Sequence, residues 1–285
     1  MSTEAFRFDA FLPPEMAGRA EVIGVRKANM NIAVMFALAI LAGAFIACGA
    51  LFATTVWAGP YKDILTFGVW RLLGGLVFCL GLILVIVAGA ELFTGNNLIV
   101  MAWVNGKVPL SKLLLNWVVV YVGNFVGSVL TAGIMFLTKQ YTFGAGAIGS
   151  TALTIANSKC GLGFLQAVAL GVMCNALVCL AVWLCFSARS TIDKIASIIF
   201  PITAFVAAGF EHSIANMYFI PIGLFIKSDV SFLTSIGKTV ADFANLTWSN
   251  FFLANLLPVT IGNIIGGAGL VGLVYWFCYL RIQPK

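Results

Sequence analysis

The sequence AAGFEHSIANM, residues 207 to 217, places Glu211 and the chain's only histidine, His212, among apolar residues on both sides. IASIIFPITAFV (195 to 206) precedes it and YFIPIGLFI (218 to 226) follows. A lone charge at a bilayer centre costs about 3 kcal/mol or more, so a titratable side chain there is kept where it faces a pathway or a partner. Gly209 and the small polar run Ser213 to Asn216 suit backbone that leaves helical geometry. Such a break is tolerated at membrane depth only where it lines a cavity or is buried in protein. The expectation is a discontinuous membrane segment that presents His212 to a central pore. The competing reading is a histidine that only hydrogen-bonds neighbouring helices.

A second copy of the pattern lies upstream. AGAELFTGN (88 to 96) and AGFEHSIAN (208 to 216) share Ala-Gly-x-Glu and an Asn five residues after the Glu, which pairs Glu91 with Glu211 and Asn96 with Asn216. A spaced set of Asn and Gly also recurs, as Asn116, Gly123, Asn124, Gly127 and as Asn255, Gly262, Asn263, Gly266. The order of the two elements is the same in each half, so the chain carries an internal duplication. Weak internal symmetry with Gly-interrupted apolar segments at corresponding places points to a solute site in a membrane transport protein.

Composition agrees. The chain is 61% hydrophobic and only 9% charged, whereas soluble domains carry about 25% charged residues. Its 285 residues suit one compact transmembrane domain. The net charge of +6 does not indicate nucleic acid, because the basic residues are scattered singly. The seven cysteines lack a CxxC pair and sit mostly in apolar runs, so they read as small hydrophobes. One histidine rules out a histidine-based metal cluster, and neither metal nor cofactor is expected.

In chain order, residues 1 to 30 are unlike a signal peptide, since Glu4, Asp9, Glu15 and Glu21 interrupt them. A short helix starting near Pro14 is either an interfacial anchor or a lid, and the anchor is the preferred reading. Spans are expected at about 32 to 57, from near Trp70 into a break at ELFTGN, at 113 to 137, at 164 to 186, across a broken element at 195 to 226, and at 246 to 280. The last exceeds one crossing, so its first part is read as a short surface helix capped by Thr247 or Ser249. Residues 138 to 159, rich in Gly, Ser and Thr, read as a connector or lid.

Six crossings put both termini on one side, with inverted halves at about 31 to 137 and 160 to 281. Ten Lys and Arg fall on the side of the termini against six on the other, which places both termini in the cytoplasm. The two breaks then meet near the midplane, where restarting helices aim positive dipole ends at an anion. Two carboxylates at the pore centre would repel an anion, so Glu91 and Glu211 are expected to face away and fix the broken backbone, beside Gly95 and Gly209. Thr94, Asn175, Asn216 and His212 remain as neutral donors. Phe78, Leu82, Leu92 and Phe205 read from periodicity alone as ordinary packing.

LFTGN (92 to 96), GFEHSIANM (209 to 217), GNIIGG (262 to 267) and NALVCLAVW from Asn175 resemble the formate/nitrite transporter family, most closely its bacterial formate channels. The resemblance covers essentially the whole chain. It implies an all-α, aquaporin-like bundle of six transmembrane helices, the second and fifth broken, in the inner membrane as a homopentamer with one pore per protomer. It further implies His212 as the pore histidine, Thr94, Asn175 and Asn216 as its polar partners, and Lys159 as the basic residue under the long loop. Phe78, Leu82, Leu92 and Phe205 become the constrictions, and the N-terminal segment a lid closing at low pH. Glu91 stands where formate channels often have Asp, which leaves formate, nitrite and hydrosulfide as candidate solutes.

The expected function is therefore passive or proton-linked transport of a small monovalent anion, with formate the preferred solute. A channel for a neutral solute is the alternative, and an enzyme lacks a nucleophile and base pair. Two devices could carry the anion past an apolar constriction. Either His212 moves a proton on to it, the preferred reading, or a neutral His212 held in one tautomer by Glu211 or a carbonyl donates a hydrogen bond.

Overall fold

The computed structural model describes residues 9–59 and 64–281. Residues 1–8 of the expected lid lie outside these. Helix α1 (Pro13–Ala28) begins with prolines in its first turn, where a missing N–H removes no helical bond. Helix α2 (Ile32–Trp57) starts at Asn31, whose side chain accepts the Ala33 N–H at 3.0 Å. Helix α3 (Phe67–Gly89) ends in a π-helical stretch and stops at Gly89, which adopts φ +85°. After the extended break the chain restarts as α4 (93–104), then α5 (Leu110–Leu137) returns across the bundle.

Helix α6 (Ala147–Cys160) occupies most of the stretch read as a connector or lid, which corrects the connector alternative. Its buried residues Ile148, Gly149, Ala152, Leu153, Ala156 and Cys160 form one helical face, hidden in the sequence because small residues compose most of it. Helix α7 (Phe164–Ser187) crosses next, followed by α8 (Thr191–Ala208), which opens with a Ser190–Asp193 capping box and ends at Gly209 with φ +80°. Helix α9 (Ser213–Lys227) restarts the path at Ser213, so the run Ser213 to Asn216 is helical and the break is Gly209 to His212. A short α10 (Val230–Ser235) precedes α11 (248–279). Thr247 caps α11 through the Asn250 N–H at 3.1 Å, but no separate surface helix forms, because α11 continues through two π-helical stretches.

Six of these helical segments are long and apolar enough to cross a membrane, as expected for a multi-pass protein with broken second and fifth crossings. Packing follows the duplication. Helix α2 lies against α5 and α7 against α11, while α3 and α8 pack on each other between the halves. The close approach has a backbone cause. A Cβ on Gly127 would lie 2.0 Å from the Ile40 carbonyl oxygen, and one on Gly266 would lie 2.1 Å from that of Val172. These glycines therefore serve packing within the protomer.

The duplication also reaches one element further than the expected halves. Helix α1 packs on α4, and α6 packs on α9, so each restarted half-helix carries a short helix that precedes its half's first crossing. Helix α1 buries Met16, Ala17, Ala20, Gly24 and Ala28 against the bundle. That placement corrects the preference for an interfacial anchor.

Candidate functional site

Each break is held by an asparagine from the third crossing of its own half. Asn124 accepts the Phe93 N–H at 2.9 Å and donates to the carbonyls of Ala39 and Glu91. Asn263 accepts the Ser213 N–H at 2.9 Å and donates to the carbonyls of Gly171 and Glu211. The two amides thereby satisfy backbone groups that a broken helix leaves open in a buried place. Gly89 and Gly209 supply the left-handed turns. Gly95, expected to support the first break, instead sits inside α4, where a Cβ would meet only Val182 at an ordinary 3.5 Å.

The buried carboxylates correct the expectation that they face away and hold the broken backbone: each lines a cavity, and each is bonded by an ammonium and asparagine amides, with no backbone N–H among these bonds. Glu91 is 2.8 Å from the Lys27 ammonium and accepts from Asn96 at 2.7 Å. Glu211 is 2.6 Å from Lys159 and accepts from Asn216 at 2.7 Å. Asn116 links Asn96 to the Lys27 carbonyl, and Asn255 links Asn216 to the Lys159 carbonyl. Lys27 is the partner that sequence reasoning missed. The available signal was position, since Lys27 and Lys159 each stand just before the first crossing of a half.

Two cavities open at opposite ends of the bundle. One of about 440 Å³ is lined by Arg19, Arg26, Lys27, Glu91, Asn96 and Lys194, and reaches Leu82 and Leu92. The other, of about 260 Å³, is lined by Arg71, Lys159, Glu211, His212 and Asn216, and reaches Phe78 and Phe205. These four apolar side chains are 2–3% exposed, two of them bounding each cavity. Phe78 meets Phe205 edge-on at 5.6 Å, and Phe205 lies along the imidazole of His212 at 5.9 Å.

His212 is the N-cap residue of α9, and its Nδ1 accepts the Ala215 N–H at 3.0 Å. A backbone N–H can only donate, so Nδ1 carries the lone pair and the neutral ring's hydrogen sits on Nε2. That Nε2 lies 2.9 Å from Thr94 Oγ1. The ring therefore donates to Thr94, whose own hydroxyl hydrogen stays available. The expected tautomer lock through Glu211 or a carbonyl is corrected: an N–H at the start of α9 performs it. Thr94 is fixed in turn, its carbonyl accepting from Cys179 Sγ at 3.2 Å.

Among the expected polar residues, the structure brings His212, Thr94, Lys159 and Asn216 to one region, although the Asn216 amide, expected as a donor to the solute, donates to Glu211 and Asn255 instead. Asn175 lies behind Thr94, which like it lines neither cavity. The Asn175 amide donates to Asn97 Oδ1 at 2.9 Å and the Asn263 carbonyl at 2.7 Å, with the Thr94 carbonyl at 3.4 Å. Where a solute contact was expected, it braces the Thr94 backbone.

Comparison with known proteins gives a consistent result. Residues 14–277 match the formate/nitrite transporter family model. The chain is 46% identical to "Formate channel FocA" of Escherichia coli (strain K12), over 96% of each chain. It is 39% identical to "Formate channel FocA" of Haemophilus influenzae, over 93% of each. A solved structure described as a pentameric formate channel with formate bound is 47% identical, with a TM-score of 0.82 over 88% of this chain and 98% of the other.

Proposed function

The chain belongs to the formate/nitrite transporter family, and from that premise we propose that it is a bidirectional membrane channel for formate and other small monovalent anions. The observation that carries this reading is the His212–Thr94 contact, set between two cation-lined cavities and closed off by Phe78, Leu82, Leu92 and Phe205. A cation-lined cavity raises the local concentration of an anion. The apolar pairs strip its water, and Thr94 with the imidazole offers neutral donors in return. Each protomer of a homopentamer carries its own pore. The chain is a single transport domain in the cytoplasmic membrane with both termini inside, on the Lys and Arg bias of its loops.

The geometry favours the neutral-donor account over proton transfer, which reverses the preference from sequence. An imidazolium would need a hydrogen on Nδ1, where the Ala215 N–H already points. It would also sit against the positive end of α9, which disfavours a cation. Donation of the Nε2 proton from a neutral ring would leave an imidazolate. The anion thus crosses as an anion, guided by hydrogen bonds.

Vesicles holding the purified protein test this when current and lumenal pH are recorded together across a panel of anions. Formate should carry one charge per ion with no accompanying pH change, and His212→Asn should alter conductance without abolishing current. A pH change that follows formate and vanishes in His212→Asn would restore the relay. Glycerol flux without formate flux would replace the anion reading altogether.

A further inference from the structure

Arg71 belongs to the first turns of α3, yet its guanidinium reaches across to the end of α8. Its Nε donates to the Ala207 carbonyl at 3.0 Å, and a terminal nitrogen donates to that of Val206. It also lies 4.9 Å from the centre of the Trp57 ring and beside Gly209, whose Cβ would meet it at 3.3 Å. These carbonyls close the C-terminal end of a half-helix, an end that carries about half a negative charge. That end faces the 260 Å³ cavity leading to His212. Left bare, it would oppose an approaching anion.

The other cavity is arranged alike. Lys194, from the first turn of α8, lines the 440 Å³ cavity beside Gly89, where α3 ends. Each cavity therefore receives a cation from the start of the opposite half's broken helix. The approach of α2 to α3 does not rest on Arg71 alone, because Trp57 Nε1 donates to the Trp70 carbonyl at 3.1 Å and Trp70 Nε1 to the Trp57 carbonyl at 3.3 Å.

We propose that Arg71 is a positioning residue of the anion path, masking the negative end of α8 so that an anion can approach His212 from the α6 side. This rests on the anion-channel reading. In vesicles, Arg71→Gln should raise the formate concentration for half-maximal flux roughly three- to tenfold at low ionic strength, the range that a helix-end charge supports. The maximal rate should hold. Added inert salt should shrink the difference, since charges separated by more than about 10 Å are screened at 0.1 M. Arg71→Lys keeps the charge but loses the fork, and should stay within about twofold of wild type. Melting curves identify a variant that fails to fold, in which case the Lys variant and its salt response decide. A deficit equal in Gln and Lys variants and indifferent to salt would reduce Arg71 to a packing residue. No deficit in Gln at low salt would overturn the proposal while leaving the channel reading intact. A wild-type protein that passes no anion would overturn both.

Discussion

At the scale of single residues, the breaks and the helix crossings use glycine for different reasons, and each reason predicts a different response to one methyl group. Gly127 and Gly266 meet a neighbouring helix's carbonyl at 2.0 and 2.1 Å from a notional Cβ, so Ala at either must push two crossings apart. Overpacking of this kind costs about 1–3 kcal/mol. Gly133 and Gly269 lie in the same pair of crossings with open space around them. Ala there should leave the melting temperature in detergent unchanged or slightly higher, since helical Gly is about 1 kcal/mol worse than Ala. Gly89 has open space but φ +85°, so Gly89→Ala should destabilise by backbone strain of about 1–2 kcal/mol, whereas Gly95→Ala should not. Equal melting shifts at Gly127 and Gly133 would refute the packing account. The sequence flagged Gly95 because it sits inside LFTGN; the residue that turns the chain is Gly89, whose match to Gly209 was already visible in Ala-Gly-x-Glu.

At the scale of elements, what announced itself was apolar length and repetition. The crossings from Ile32, Leu110 and Phe164, the broken pair, and the matched Asn and Gly set all follow from these. What stayed hidden depended on contacts between distant segments. Helix α6 looked like a connector because Ala, Gly and Cys make most of its buried face, and Lys27 lay 64 residues from the Glu91 it pairs with. The join between α5 and α6 likewise rests on a distant residue. Tyr141 donates to Asp229 Oδ2 at 2.6 Å, Lys139 lies 3.2 Å from the same oxygen, and Asp229 also caps α10 through the Phe232 N–H. These bonds, that from Tyr141 foremost, hold the Asp229 carboxyl below its usual range. A depressed carboxylate contributes stability that is complete above the ordinary value of about 3.9 and disappears as pH falls through the depressed one. Asp229→Asn should therefore lower the melting temperature at neutral pH and flatten its fall below about pH 4. Melting profiles of mutant and wild type that stay parallel through that range would show that the latch adds no acid sensitivity.

At the scale of the whole molecule, a matched backbone carries an unmatched pore. Leu92 and His212 each follow the paired glutamate and cap a restarting helix, with φ and ψ of −108° and 124° at Leu92 and −107° and 114° at His212. Asn124 and Asn263 bond the next N–H of each at the same 2.9 Å. Two residues on, the first half has Thr94 and the second has Ile214. The duplication thus supplies one hydrophobic cap and one imidazole cap on equivalent frames, and the polarity of the pore resides in side chains alone. The frame should therefore accept the polar pair in reverse. In a chain carrying Leu92→His, Thr94→Ile, His212→Leu and Ile214→Thr, the new ring at position 92 has the Gly95 N–H available to its Nδ1, as His212 has that of Ala215. Thr94→Ile with His212→Leu should cut formate flux in vesicles at least roughly tenfold, a barrier rise of about 1.4 kcal/mol. The reverse placement should bring flux back to within about threefold of wild type, because the donors return to an equivalent frame beside Phe78, Leu82 and Phe205, with the leucine of His212→Leu taking the place of Leu92. A fourfold variant that folds, melts normally and stays silent would show that the two frames differ in a way their dihedrals and hydrogen bonds do not express.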